Sequence, residues 1–317
     1  MSSKNLRFSK DFNLPVNIFN DEMFDYYRNL YDFWPAKEEE IMNKAIEKHG
    51  GVEKWLEYCG KVRDNAINGV MDTEEYKQFN TQSMDMFNPD NVFKEYGIEK
   101  PTCGEKSCYT NETDGKYFIS IDLKKANFQA MNYAGVINFD TYADFVKFYG
   151  GDEYIADSKY LRQVIFGKMN PKRTIAVEKY MMAKIYCLLN SEFEKFGFKI
   201  YSVNSDELIY SLVSDDSNIK EHDIKHMVYD VFRNFGFEVR IELIQIHKLD
   251  IVNSHGNQVD AYVRKNIVTG EEVLKKASTT FFPQIYKLWK GFEITKEDLT
   301  FFFEDQLATF NDKLILR

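Results

Sequence analysis

The segment KIYSVNSDELIYSL, residues 199–212, constrains the architecture more than any other stretch. β-Branched and aromatic residues flank a polar turn at Asn204 and Ser205, which predicts a hairpin with strands over 200–203 and 208–212. A long helical pattern precedes it, beginning at Pro171 and closing at Gly197, with Met182, Ile185, Leu189, Phe193 and Phe196 as its apolar stripe. A second amphipathic pattern follows over 220–235, with Ile224, Val228, Val231 and Phe235 on one face, and then the strand-like run FEVRIELI. Upstream, KYFISIDL reads as a strand entered through the turn Asp114–Gly115. Strand, helices, hairpin, helix, strand is the order of the split βαβ, ferredoxin-like plan.

The remaining chain frames that unit. Helical spacing runs through 21–81, broken by Pro35 and by Gly50 and Gly51. A connector with Pro89 and Pro101 covers 88–112. Helices are expected at 126–134, from an Asp140 cap to Tyr149, and at 158–169. After His255 the pattern predicts strands over 261–266 and 272–276 and helices over 284–290 and 295–310. The expected fold is therefore α+β: a mainly helical region over 1–112, a ferredoxin-like, palm-like domain over 113–256, and a small extension of hairpin and helices over 257–317.

Composition narrows the function classes. With 317 residues, 44% hydrophobic and 29% charged, the chain can bury a substantial core. No apolar run reaches membrane-spanning length, and the first residues have no signal-peptide core. Four cysteines make no disulfide framework, so a cytoplasmic, reducing setting without membrane association is expected. The net charge of −9 counts against coating nucleic acid by bulk electrostatics, but not against a local basic groove.

Two features point to chemistry. Asp206 and Glu207 leave the hairpin turn side by side, and Asp122 ends the strand that the split βαβ plan sets beside the hairpin. Adjacent acids repel, and a pair of carboxylates is what hard cations such as Mg²⁺ require. Residues 159–173, KYLRQVIFGKMNPKR, carry five basic residues and no acid. Cations beside carboxylates suit a polyphosphate ligand. Elsewhere, His222 and His226 mimic a zinc-protease spacing but lie away from their helix's apolar stripe. Cys103 and Cys108 have no matching second pair.

Taken in order, these stretches resemble motifs A, B and C of family A DNA polymerases. SIDLKKANFQAM resembles motif A, RQVIFGKMN resembles motif B, and SVNSDELIY resembles motif C. The resemblance implies that Asp122 and Asp206 hold two Mg²⁺ ions, with Glu207 supporting that geometry as a third catalytic carboxylate. It implies nucleotide contacts from Arg162, Phe166, Lys168 and, at the sugar-selecting position, Asn127. The implied activity is template-directed nucleotidyl transfer, with primer, template and nucleoside triphosphates as partners. Ser205 replaces the motif C histidine, Asn170 replaces the motif B tyrosine, and the intervals between motifs are short. Those departures leave room for a template-independent or protein-priming transferase. They also leave room for a degenerate palm that binds a protein partner as a scaffold subunit.

Overall fold

The computed structural model describes residues 2–17, 20–213, 219–304 and 306–317. Its centre is a six-stranded sheet in the order β2-β3-β1-β4-β7-β8. The strands are β1 (Tyr117–Leu123), β2 (Phe198–Val203), β3 (Glu207–Leu212), β4 (Val239–Lys248), β7 (Tyr262–Asn266) and β8 (Glu272–Lys275). Every neighbouring pair runs antiparallel. The short strands β5 (Ile251–Val252), β6 (Gln258–Val259) and β11 (Ile315–Leu316) form a separate three-stranded sheet.

Among the described residues, six α-helices precede the sheet: α1 (Ser3–Asp11), α2 (Asp21–Leu30), α3 (Ala36–His49), α4 (Val52–Met71), α5 (Glu74–Thr81) and α6 (Pro89–Tyr96). The last lies inside the stretch expected to be a connector, started by an Asn88 cap and Pro89 and stopped by the left-handed Gly97. Between β1 and β2 come α7 (Ala126–Tyr133), α8 (Tyr142–Phe148), α9 (Glu153–Asp157), α10 (Lys159–Gly167) and α11 (Pro171–Lys195). Thr141, not Asp140, caps α8, because its hydroxyl accepts the Asp144 amide.

Strand alternation sorts the sheet into two faces. Ile119, Ile121, Leu123, Leu208, Tyr210, Ile241 and Leu243 point towards the helices and join the main core. The 25-residue α11 buries Val177, Met181, Ile185, Leu189 and Phe193 in that core, and Phe193 meets the Tyr210 ring at 4.8 Å. Helix α12 (Glu221–Phe235) packs beside β4 and ends at the left-handed Gly236.

Two cores cross the boundaries expected at 112 and 256. The main core joins Phe8, Phe24, Trp55 and Phe79 to the sheet. The second joins Val16, Tyr27 and Tyr31 to Ile251, Ile285 and Tyr286, the last two on α13 (Phe282–Lys290). The β7–β8 hairpin is also no separate appendage, since β7 pairs along the far half of β4. The helix expected over 295–310 is absent. In its place, the 3₁₀ turn Glu297–Leu299 leads into a hairpin of β9 (Thr300–Phe303) and β10 (Gln306–Thr309). Threonine and consecutive phenylalanines favour the pleated form, and Phe301 stacks on Phe310 at 4.2 Å while Phe310 stacks on Phe281 at 4.7 Å.

Candidate functional site

The sheet face away from α11 changes character along its length. At one end Phe118, Ile209, Ile244, Ile246 and Tyr262 form a small apolar cluster with Cys108. At the other end the same face presents Ser120, Asp122, Glu207, Arg240, Glu242 and Arg264, as the strand registers require. The cross-strand partner of Asp122 is Glu207 on one side and Arg240 on the other. Directly opposed residues of an antiparallel pair share a face, so Asp122 and Glu207 are side by side.

The polar groups of this face are linked. The Ser120 hydroxyl donates to Glu207 Oε1 at 2.6 Å. Arg240 donates to Asp122 Oδ2 at 3.3 Å and also lies 3.3 Å from Glu242 Oε2. Arg264 donates to the same Glu242 oxygen at 2.6 Å, and Asn266 to Oε1 at 3.0 Å. Burial pushes the Asp122 carboxyl above its ordinary range, Arg240 opposes that, and the charges of Glu207 and Asp206 add to it.

Asp206 occupies the loop between β2 and β3, and its carbonyl accepts the Leu123 amide at 3.0 Å. This bond clamps the hairpin loop to the end of β1. The Asp206 charge raises both Asp122 and Glu178, a carboxyl on α11. Glu178 is 7% exposed and pushed up to about 7, first by burial and then by Asp206. Asp206 therefore stands at the sheet end between the open face and the helical layer. The residue that shares the face with Asp122 is Glu207, which the sequence reading had placed in a supporting position. Among the described residues, no three His, Cys, Asp or Glu side chains have the spacing of a self-contained metal site.

The expected nucleotide-binding residues divide. Arg162 on α10 is half-buried with its guanidinium over the Tyr142 ring at 5.7 Å, and its Nε has no hydrogen-bond partner among the described residues. Lys125 lies over the same ring at 5.5 Å. Burial, then the Arg162 charge, holds the Lys125 ammonium below its ordinary range. Lys168 is exposed at the end of α10. Phe166 is 1% exposed and packs against Phe128, Tyr142 and Phe145, so it is a core residue with no surface for a base. Asn127 is half-buried, and its side chain accepts the Phe128 amide at 2.9 Å.

Helix α10 is held by a buried network. Ser158 caps it by accepting the Leu161 amide and donates to Asp11 at 2.8 Å, and Tyr154 donates to Asp11 at 2.7 Å. The basic segment is thereby fixed to α1, although nothing in its own sequence specifies that partner. His222 and His226 are exposed, 86% and 65%, and the four cysteines are free thiols.

No family model, curated protein or solved structure matches the chain. Sequence reasoning missed Arg240 and Glu242. Their signal was alternation: Arg240 and Glu242 occupy every second position of FEVRIELI, a polar face on a strand otherwise built for a core.

Proposed function

We propose that this protein is a nucleotidyltransferase of the polymerase type, built on a ferredoxin-like palm and acting on a primer, a template and nucleoside triphosphates. The observation that carries the reading is the convergence of Asp122, Asp206 and Glu207 at one end of the sheet from two distant segments. The order β2-β3-β1-β4, with α11 and α12 on one face and Asp122 and Glu207 on the other, is the arrangement a palm would use.

The donor set suits Mg²⁺. The charges of Glu207 and Asp206 add to the cost of ionising Asp122, which a divalent cation would relieve, and Mg²⁺ takes few protein ligands and completes its shell with water and substrate phosphate. Asp122 and Asp206 would hold the two ions, and Glu207 would share the Asp122 face. Bound there, Mg²⁺ supplies Lewis acidity towards a primer hydroxyl and a departing pyrophosphate. The protein's own part is positional. Ser120 orients Glu207, the Leu123–Asp206 bond fixes the loop, and Arg240 holds the Asp122 carboxylate in place. Arg162 and Lys125 lie on the α10 side, where a nucleotide's negative charge would be met.

The Arg240–Asp122 ion pair favours a second reading, a palm that binds partners with its Asp122 carboxylate already paired. Primer extension with purified protein decides between them. Mg²⁺-dependent incorporation that is lost in Asp122→Asn and Glu207→Gln supports the transferase. A folded protein with no incorporation from dNTPs or NTPs, with or without template, supports the binding subunit.

A further inference from the structure

The charged face continues beyond the carboxylates to the edge of the sheet. A small cavity of about 100 Å³ opens there, lined by Arg240, Arg264 and Lys275 with Glu242, Asn266 and Glu271. The register places Lys275 opposite Tyr262, and therefore on the same face as Arg264. Lys159, the first residue of α10, is near enough for its charge to act on Lys275. Three cations from β4, β7 and β8 thus line one cavity, in a protein whose net charge is −9.

The ion pairs within the site engage the two arginines and leave Lys275 aside. Glu242 takes Arg264 and Arg240, and Asp122 takes the remaining reach of Arg240. The Lys275 ammonium is half-buried and has no ion pair or hydrogen bond among the described residues. Burial holds its protonated form back, and Arg264, Arg240 and Lys159 add repulsion that Glu207 only partly offsets. Gathering like charges costs stability, and a multivalent oxyanion is the ligand that removes the cost. The guanidinium forks supply paired donors, while the ammonium supplies a mobile point charge.

We propose that Arg240, Arg264 and Lys275 form a phosphate-oxyanion site beside Asp122. It deepens the transferase reading, on which it rests for its ligand's role, by naming a grip for phosphate separate from Arg162 and Lys168. The phosphates are either a nucleoside triphosphate's chain or a nucleic-acid backbone, and one experiment separates the sources.

Binding of inorganic tripolyphosphate, and separately of an oligothymidylate without terminal phosphate, is measured by calorimetry on the full chain in EDTA. Three proteins are compared: wild type, Lys275→Gln, and Lys199→Gln, an equal charge loss at an exposed position on β2, the opposite edge of the sheet. The expected result is about a tenfold weaker Kd in Lys275→Gln and little change in Lys199→Gln. A Lys275-dependent Kd for tripolyphosphate assigns the triphosphate; one for the oligothymidylate alone assigns the backbone. No saturable binding of either, or equal weakening by both substitutions, overturns the site. Thermal denaturation guards against misfolding. Lys275→Gln without ligand should melt at or above the wild-type temperature, because it removes repulsion, and a large fall would make Lys275 a structural residue. Since EDTA removes metal, failure of this site and failure of Mg²⁺-dependent transfer are read separately.

Discussion

Glu178 is the residue whose setting makes the clearest thermodynamic demand. It is buried on α11, carries no ion pair or hydrogen bond among the described residues, and feels the Asp206 charge. Its carboxyl is pushed from an ordinary 4.5 to about 7. A folded-state value above the unfolded one means the native state binds the extra proton. The stabilisation is complete below about pH 4.5 and is lost as pH rises through 7. Glu178→Gln should flatten that slope and stabilise the metal-free protein at pH 8 by up to about 3 kcal/mol. Urea denaturation from pH 5 to 8 tests this; an unchanged slope in the variant would show that Glu178 stays ionised in the fold. Asp298 is a buried carboxylate with a full set of partners. It is fully buried, paired with Lys287 at 2.7 Å, and it accepts from Tyr26 at 2.5 Å and from the Thr295 amide at 2.6 Å. Asp298→Ala would strand the buried ammonium, and a loss of about 3–5 kcal/mol in chemical denaturation is expected.

Among the elements, α8 and its exit set how closely the helical layers approach. Gly151 follows the left-handed Gly150, and a Cβ there would collide with the Val146 side chain. It would also stand 3.0 Å from the Val146 carbonyl oxygen and 3.1 Å from Val62 on α4. Backbone cannot swing aside as a flexible side chain can, so Gly151→Ala should cost about 1–3 kcal/mol. A melting temperature equal to wild type would show that the α4–α8 contact is looser than this geometry. Helix α10 depends on its neighbours in a similar way. Its cap, Ser158, is also a ligand of the fully buried Asp11, so the basic segment moves only if α1 moves.

Across the whole molecule, the second core ties the two ends of the chain together. Tyr286 on α13 is 1% exposed, meets Tyr31 edge-on at 5.1 Å, and accepts the Asp32 amide at 3.1 Å. Tyr286→Ala opens a cavity between N- and C-terminal segments, and a loss of about 3–5 kcal/mol is expected. Hydrogen exchange locates that loss. Amides of α2 should lose protection together with those of α13, because both border the same core. Fraying of α13 with α2 unchanged would show that the ends unfold independently. No helix among the described residues is long and apolar enough to cross a membrane.

Local patterning alone was enough for much of the fold. Period-3.6 stripes delimited α11 and α12, glycine stops closed them, and period-2 runs located β1, β2, β3, β4, β7 and β8. These signals are strong because each element buries one face, and the spacing of that face is written in consecutive residues. The acids Asp122, Asp206 and Glu207 were legible for the same reason, as charges interrupting strands or their ends. What local spacing could not supply was register and distance. Only the paired strands decide that Asp122 faces Glu207, that Arg240 reaches Asp122, and that Lys275 meets Arg264. Phe166 shows the same limit from the other side. Its place in a motif said nothing of the rings that bury it, because burial is set by segments brought together in space. The 295–310 stretch went to a hairpin because Phe281, a distant partner, stacks on Phe310. Helix and strand were close in local preference there, and tertiary contact tipped the balance.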